Sequence, residues 1–396
     1  MPVLHLVVID AILLTNSEKI KKSKPHPGGN KIMSGDLLEL LRQAQPKSWR
    51  AQDLHDDTQW VRPLSDTECQ GLLKGLAAFR ASRVALEQAT GADFPFEYVE
   101  DLIKDIHTQL RQQFGLMVLK RFPIEGLSEE DVKALYWGFT NHLGVLRPQG
   151  KNSALMNHVK NVGGVYRAAG GRGYNTNAEL DFHVDFSDYV GLLCIQDAKS
   201  GGISRICSSR RIVQDMQQQA PELVDALMQP LYYSRQDEEA PDELPYYRTP
   251  VVGLADGWFS CRFTRNHIRY ADRHEGASAP TATQNQAMDW IDEAAQSGRY
   301  TFDMRLEPGD LQILNNHVTL HSRTAYEDYE EPERKRSLLR AWIATPNSQP
   351  LSPLMNEAFH DHRAGAVRGG IKGQMFDETK QAYTQRAAAF HGMLIG

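Results

Sequence analysis

Pro308-Gly309-Asp310-Leu311-Gln312-Ile313-Leu314-Asn315-Asn316-His317-Val318-Thr319-Leu320-His321, residues 308–321, is a turn signal followed by two short strand-like runs, 311–314 and 318–321. Working outward, runs of the same kind occur at 190–195, 204–207, 258–263, 300–306 and 338–344. One clear helical pattern, 283–296, interrupts them. Many short strands separated by turn signals predict a barrel or jelly roll, here flanked by helices and therefore of the α+β class.

Upstream of residue 180 the pattern is helical. Apolar residues recur at helical spacing over 66–82 through Leu72, Leu73, Leu76 and Phe79, and over 96–114 through Val99, Leu102, Ile106 and Leu110. A buried strand is expected at 116–121, and Ser128-Glu129-Glu130 opens a further helix that runs to Gly144. The glycine-rich stretch 163–173 reads as a mobile loop; it precedes no helix as GxGxxG, and no GxxxxGK occurs, which argues against dinucleotide and P-loop sites. Four regions follow: a variable amino-terminal extension (1–35) broken by Lys, Pro and Gly, with Met33 as an alternative start; a helical region (36–94); the main domain (95–350); and a helical carboxyl-terminal tail (351–396).

Hydrophobic residues make up 41% and charged residues 24% of the 396 positions, which excludes a disordered chain, a fibre and a coiled coil. The formal net charge of -6 offers no global basic field for nucleic acid or an anionic membrane. Cys69, Cys194, Cys207 and Cys261 form no CxxC, which points to a reduced, cytoplasmic chain. The apolar run 3–14 has no Lys or Arg ahead of it, contains Asp10 and is too short for a bilayer, so neither a signal peptide nor a membrane helix is expected.

Leu180-Asp181-Phe182-His183-Val184-Asp185-Phe186 carries the first chemistry. On a strand, His183 and Asp185 share one face, and Phe182, Val184 and Phe186 pack on the other. His-x-Asp alone is cheap: a chain with 14 histidines yields about one match by chance. His55-Asp56-Asp57 sits in a polar stretch and reads as a solvated loop, and His360-Asp361-His362 has no strand or helix frame and reads as surface. A histidine on a second strand would complete a two-histidine, one-carboxylate face, a set that suits Fe(II) because it leaves coordination positions open. His317 and His321 are four apart and would share a face of an unbroken strand, so spacing leaves open which one is the ligand. In the last run Arg336, Leu338, Arg340 and Trp342 share one face. An inward arginine is costly unless it meets an anion, and its fork matches a carboxylate. The alternative is a rim salt bridge to Glu330, Glu331 or Glu333.

FHVD at 182–185, AKSGGIS at 198–204, PGDLQILNNHVTLHSRTAYED at 308–328 and RSLLRAW at 336–342 resemble, in content and in order, the TauD/TfdA family of Fe(II)- and 2-oxoglutarate-dependent dioxygenases. The resemblance covers roughly residues 95–350. It implies a double-stranded β-helix (jelly-roll, clavaminate synthase-like) core with flanking helices and insertions. It implies His183, Asp185 and His321 as the catalytic metal ligands. Arg340 resembles the arginine that pairs with the distal carboxylate of 2-oxoglutarate, Arg336 an assisting arginine, and Ser204 a hydroxyl contacting the same cosubstrate; a Glu-rich insertion before Arg336 leaves the choice between the two arginines open. The implied reaction uses Fe(II), 2-oxoglutarate and O2, releases succinate and CO2, and oxidises a small molecule, most simply by hydroxylation. Desaturation or cyclisation at the same site is the alternative outcome, and a cupin-like metal-binding protein without oxygenase activity is the alternative of another class.

The net acidic chain, with no aromatic-basic stripe, favours a small anionic or zwitterionic substrate over a polyanion. Arg262 and Arg265 are candidate anchors; alternation puts at most one of them inward, and the resemblance favours Arg265. The loop at 163–173, with Arg167, Arg172 and the adjoining Tyr174, is expected to act as a lid. Homo-oligomerisation is left open.

Overall fold

The computed structural model describes residues 34–164, 166 and 173–396. The expectations for the extension before Met33, and for Arg167 and Arg172, fall outside the described residues. Eleven strands build the core: β1 (Val61–Pro63), β2 (Leu116–Lys120), β3 (Val145–Leu146), β4 (Met156–Val159), β5 (Leu180–His183), β6 (Tyr189–Gln196), β7 (Ser204–Ser208), β8 (Thr301–Met304), β9 (Leu311–Asn315), β10 (Thr319–Arg323) and β11 (Ser337–Ala344). The larger sheet runs β1-β2-β9-β6-β11-β3, with β4 also paired to β11, and the smaller runs β8-β7-β10-β5. This two-sheet architecture, with helices around it, is the double-stranded β-helix that the strand spacing and the resemblance predict.

Alternation along the strands of the larger sheet sorts residues between two cores. In β2, Leu116 and Val118 join the core shared with the small sheet, while Met117 and Leu119 face the outer helices. The outer core takes Leu72 and Leu76 from the helix Asp66–Ser82, Ile106 and Leu110 from Glu100–Gln112, and Leu135 and Phe139 from Glu129–Leu143. Ser65 caps the first of these helices by accepting from the Glu68 amide, and Ser128 caps the third in the same way through the Asp131 amide.

The structure departs from the sequence reading at several places; one is His55-Asp56, read as a solvated loop but forming the end of the helix Ala51–Asp56. The strand predicted at 258–263 stops at Cys261, and the chain then turns into a short helix, Arg265–Arg269. The helical pattern at 283–296 is a helix, Ala282–Gln296, but it has two companions, Ser209–Gln219 and Pro221–Leu227. The first was hidden because its inner face is mixed: beside the core residues Ile212, Val213 and Met216, Arg210 and Gln214 are also buried and donate to the Leu41 carbonyl. β5 ends at His183, one residue short of Val184 and two short of Asp185. His317 lies outside β10, in the turn between β9 and β10, so the strand joining it to His321 is broken. Among the described residues no helix is long and apolar enough to cross a membrane.

Candidate active site

The smaller sheet brings the sequence-distant histidines together. β5 and β10 are antiparallel neighbours, and their register sets His321 opposite His183. The two imidazole centroids lie 4.4 Å apart. Beyond the end of β5 the backbone is tied down: the Val184 amide donates to the Phe263 carbonyl (2.9 Å) and the Asp185 amide to Asn316 Oδ1 (3.1 Å). The Asp185 carboxylate thus turns back toward the histidines: Oδ2 is 3.7 Å from His321 Nε2 and Oδ1 4.0 Å from His183 Nε2. Among the described residues this is the one group of three side chains whose donor atoms, all within 4.8 Å of one another, could hold a metal.

The protonation states suit a cation. His183 Nδ1 is 2.8 Å from the Asp181 carbonyl, which can only accept, so Nδ1 carries the proton and Nε2 presents its lone pair. Burial pushes the pKa of both histidines down, that of His321 to about 3, so both rings are neutral at physiological pH. Burial opposes ionisation of Asp185, but Arg340, His321 and His183 outweigh it and hold the carboxyl at about 2. Two neutral imidazoles and one carboxylate, converging on a cavity, fit ferrous iron.

The inner face of β11 forms the adjoining wall, and Arg336, Leu338, Arg340 and Trp342 all border the cavity. Arg340 has no contact with Glu330, Glu331 or Glu333; its Nη1 reaches Asp185 Oδ1 at 3.3 Å. Gln149 pins it, accepting from Arg340 Nε (2.9 Å) and donating to the Arg340 carbonyl (3.2 Å). Its guanidinium lies over Trp342 and Tyr174, 4.8 and 5.4 Å from their centroids. Arg336 is in a different situation. It is buried against the Tyr326 ring, its guanidinium 5.0 Å from the centroid; among the described residues no carboxylate lies within ion-pair distance, and its Nη1 has no hydrogen-bond partner. Gly202 approaches it so closely that a Cβ there would sit 3.0 Å from Arg336 Nε. Ser204 borders the same end of the cavity and shares a 3.1 Å hydrogen bond with the Gln312 amide.

The two substrate-anchor candidates both border the cavity, because the strand ends before alternation can separate them. Arg262 is locked by the Val184 carbonyl (3.1 Å) and the Tyr247 hydroxyl (2.8 Å), between the rings of Phe186 and Tyr233. Arg265 is held by Asp289 (2.6 Å) and Asp292 (3.4 Å). Phe182, Phe186 and Trp342 are buried core and cavity wall at once. Of the other His/Asp stretches, His55 packs on the Phe302 ring, and His360, Asp361 and His362 engage Glu243, Arg363 and Asn356 separately. Sequence reasoning missed Gln149 and Asn316. Gln149 carries no local signal at all, whereas Asn316 adjoins the histidine run and its contact with Asp185 appears only in three dimensions.

A double-stranded β-helix that gathers two histidines and a carboxylate at a cavity defines a non-haem iron oxygenase. Residues 79–342 match the model of the family described as "Taurine catabolism dioxygenase TauD, TfdA family". The chain is 30% identical over 319 residues to FR-33289 synthase of Streptomyces rubellomurinus, covering 79% of this chain and 94% of that protein. It is 22% identical over 333 residues to a taurine hydroxylase-like protein, SAT17, of Stachybotrys chartarum, covering 79% of this chain and 84% of that one. Among solved structures, an asparagine oxygenase in complex with Fe(II), 3-hydroxyasparagine and succinate superposes with a TM-score of 0.56 at 19% identity, over 72% of this chain and 94% of that one. The non-haem iron oxygenase OrfP, with Fe, succinate and (3S)-hydroxy-L-Arg, gives 0.54 at 15% identity, over 72% and 94%. The chain belongs to the TauD/TfdA family of Fe(II)- and 2-oxoglutarate-dependent dioxygenases.

Proposed function

We propose that the protein hydroxylates a small anionic or zwitterionic molecule, with His183, Asp185 and His321 holding the iron, Arg336 and Ser204 holding 2-oxoglutarate, and Arg340 facing the substrate. The observation that carries this reading is the convergence of the three donor side chains beside a buried arginine whose Nη1 is unpartnered and which has no carboxylate partner among the described residues. When bound, iron and 2-oxoglutarate supply the oxidising power, consuming O2 and releasing succinate and CO2 while the substrate gains a hydroxyl.

The protein's own residues do the rest. Arg336, buried and with Nη1 unpartnered, offers a charge-assisted hydrogen bond to an incoming carboxylate, and the Ser204 hydroxyl can add a second donor. This reverses the order the sequence implied, where Arg340 was the anchor. Arg340 already spends Nε on Gln149 and Nη1 on Asp185; it keeps Nη2 for a substrate anion and is held in place by Trp342 and Tyr174. Arginines outnumber carboxylates in the cavity wall, which favours a negatively charged guest. Arg265, tied to two aspartates, braces the wall, and Tyr174 is the substrate-side contact we retain. Apolar side chains such as Phe182, Val184 and Leu192 keep the cavity poor in water. All four cysteines are free thiols, which supports a reducing compartment such as the cytoplasm.

The test is succinate release from 2-oxoglutarate under Fe(II) and O2, with a panel of small amino acids and organic acids. Release stimulated by an anionic member, with product heavier by one oxygen atom, is the expected result. A best substrate that carries no anionic group would overturn the substrate class, and metal binding without any turnover would favour a cupin-like binding protein.

A further inference from the structure

The family match ends at residue 342, yet the chain returns to the active site afterwards. A short strap, residues 368–373, crosses the turn that carries Asp185. Arg368 is buried, donates from Nε to Asp188 Oδ1 (2.8 Å) and from Nη2 to the Gln349 carbonyl (2.7 Å). The Gly370 amide donates to the Phe186 carbonyl (2.6 Å), one residue past Asp185, and the Ile371 amide to the Pro148 carbonyl (2.7 Å), one residue before Gln149. Ile371 itself borders the cavity. Beyond it, Ser153 Oγ donates to the Lys372 carbonyl (2.6 Å).

The strap therefore bonds to the backbone on both sides of the site: next to the carboxylate of the candidate metal centre, and next to the glutamine that pins Arg340. Its closeness is built in by glycine. At Gly370 φ is +85°, a left-handed conformation that favours glycine, and an added Cβ would press on Arg147 Cβ and Pro148 Cδ at 3.0 Å. Groups that orient metal ligands govern affinity nearly as strongly as the ligands do. We propose that the strap 368–373 is a positioning element of the active site, holding the Asp185 turn in metal-binding geometry through the Phe186 carbonyl and Asp188. This rests on the reading of His183, Asp185 and His321 as the metal site.

Co(II), a coloured and air-stable stand-in for Fe(II), is titrated into the metal-free full-length protein, with its visible absorption spectrum and the melting temperature as readouts. Gly370→Ala, which lifts the strap, is expected to raise the Co(II) dissociation constant about tenfold and to alter the spectrum. Ser153→Gly, which frees the outer end of the strap at a residue whose φ of 55° glycine adopts readily, is expected to shift affinity in the same direction by less, and it serves should Gly370→Ala not fold. Lower melting temperatures with parent-like Co(II) affinity and spectrum in Ser153→Gly or in a folded Gly370→Ala would overturn the proposal and leave the strap a purely structural brace. Failure of the parent protein to bind Co(II) would overturn the metal-site reading itself, and this inference with it.

Discussion

Two buried aspartates, Asp185 and Asp188, sit three residues apart, and each has a histidine and an arginine for company. Around Asp188 every contact is closed: His317 Nε2 and Arg368 Nε both lie 2.8 Å from Oδ1, and the Thr345 amide donates to Oδ2 at 3.1 Å. Around Asp185 the histidine nitrogens stand off at 3.7 and 4.0 Å, on a cavity. Metal bonds of about 2 Å need donor atoms on the order of 3–4 Å apart, and direct hydrogen bonds of about 2.8 Å leave no such gap. The same residue types thus make a tie in one place and a receptive centre in the other, and the spacing between atoms, not the composition, separates them.

The largest expected effect breaks the pair apart. His321→Ala should abolish Co(II) binding and succinate release while the fold persists, as judged by circular dichroism. His317→Ala should leave metal stoichiometry at parent level; if it removes the metal instead, the two histidines have been assigned the wrong way round.

Next in size is the contrast between the arginines of β11. Truncating one partner of a buried charge-paired hydrogen bond costs about 2–5 kcal/mol, more than tenfold in binding. Arg336→Ala should raise the apparent constant for 2-oxoglutarate by that order, with Arg340→Ala acting mainly on the substrate constant. The reverse ranking, measured by succinate release against 2-oxoglutarate concentration, would restore Arg340 as the cosubstrate anchor.

At the Asp188 end the expected loss is in stability. Removing a hydrogen bond to a buried charged group costs about 1–3 kcal/mol, so His317→Ala should lower the urea midpoint accordingly, and an unchanged midpoint would show the tie to be idle.

A further effect concerns pH. Burial and His183 hold the His321 pKa at about 3, whereas an unfolded imidazole protonates near about 6.5. Between those values the unfolded chain binds more protons, so the metal-free protein should lose stability as pH falls through that window, and His321→Gln should flatten part of the slope. Melting temperatures of the metal-free proteins across the window check this; parallel slopes would mean that His321 is not buried neutral.

Much of this was legible before any coordinates. Strand-like runs bounded by turn signals located β2 and β5 to β11 but not the short strands β1, β3 and β4, and Ser128 preceded the helix it starts. The helix Ser209–Gln219 escaped because only Ile212, Val213 and Met216 give it an apolar stripe, and buried beside them are Arg210, Gln214 and Asp215, with partners far away in sequence at Leu41, Pro46 and Tyr300. Alternation misplaced Arg262 and Arg265 relative to one another, because it holds only while a strand continues and this one stops at Cys261.

The class of chemistry is already written in the residues: His183-x-Asp185, a later histidine and inward arginines admit few other uses, because residue type and strand period are local properties. Three points stay open until the chain is folded: which of His317 and His321 stands beside Asp185, which arginine of β11 has no carboxylate partner among the described residues, and where residues 351–396 go. These are questions of distance between segments, set by strand register and by the return of the strap at Arg368–Ile371, and no local pattern encodes them.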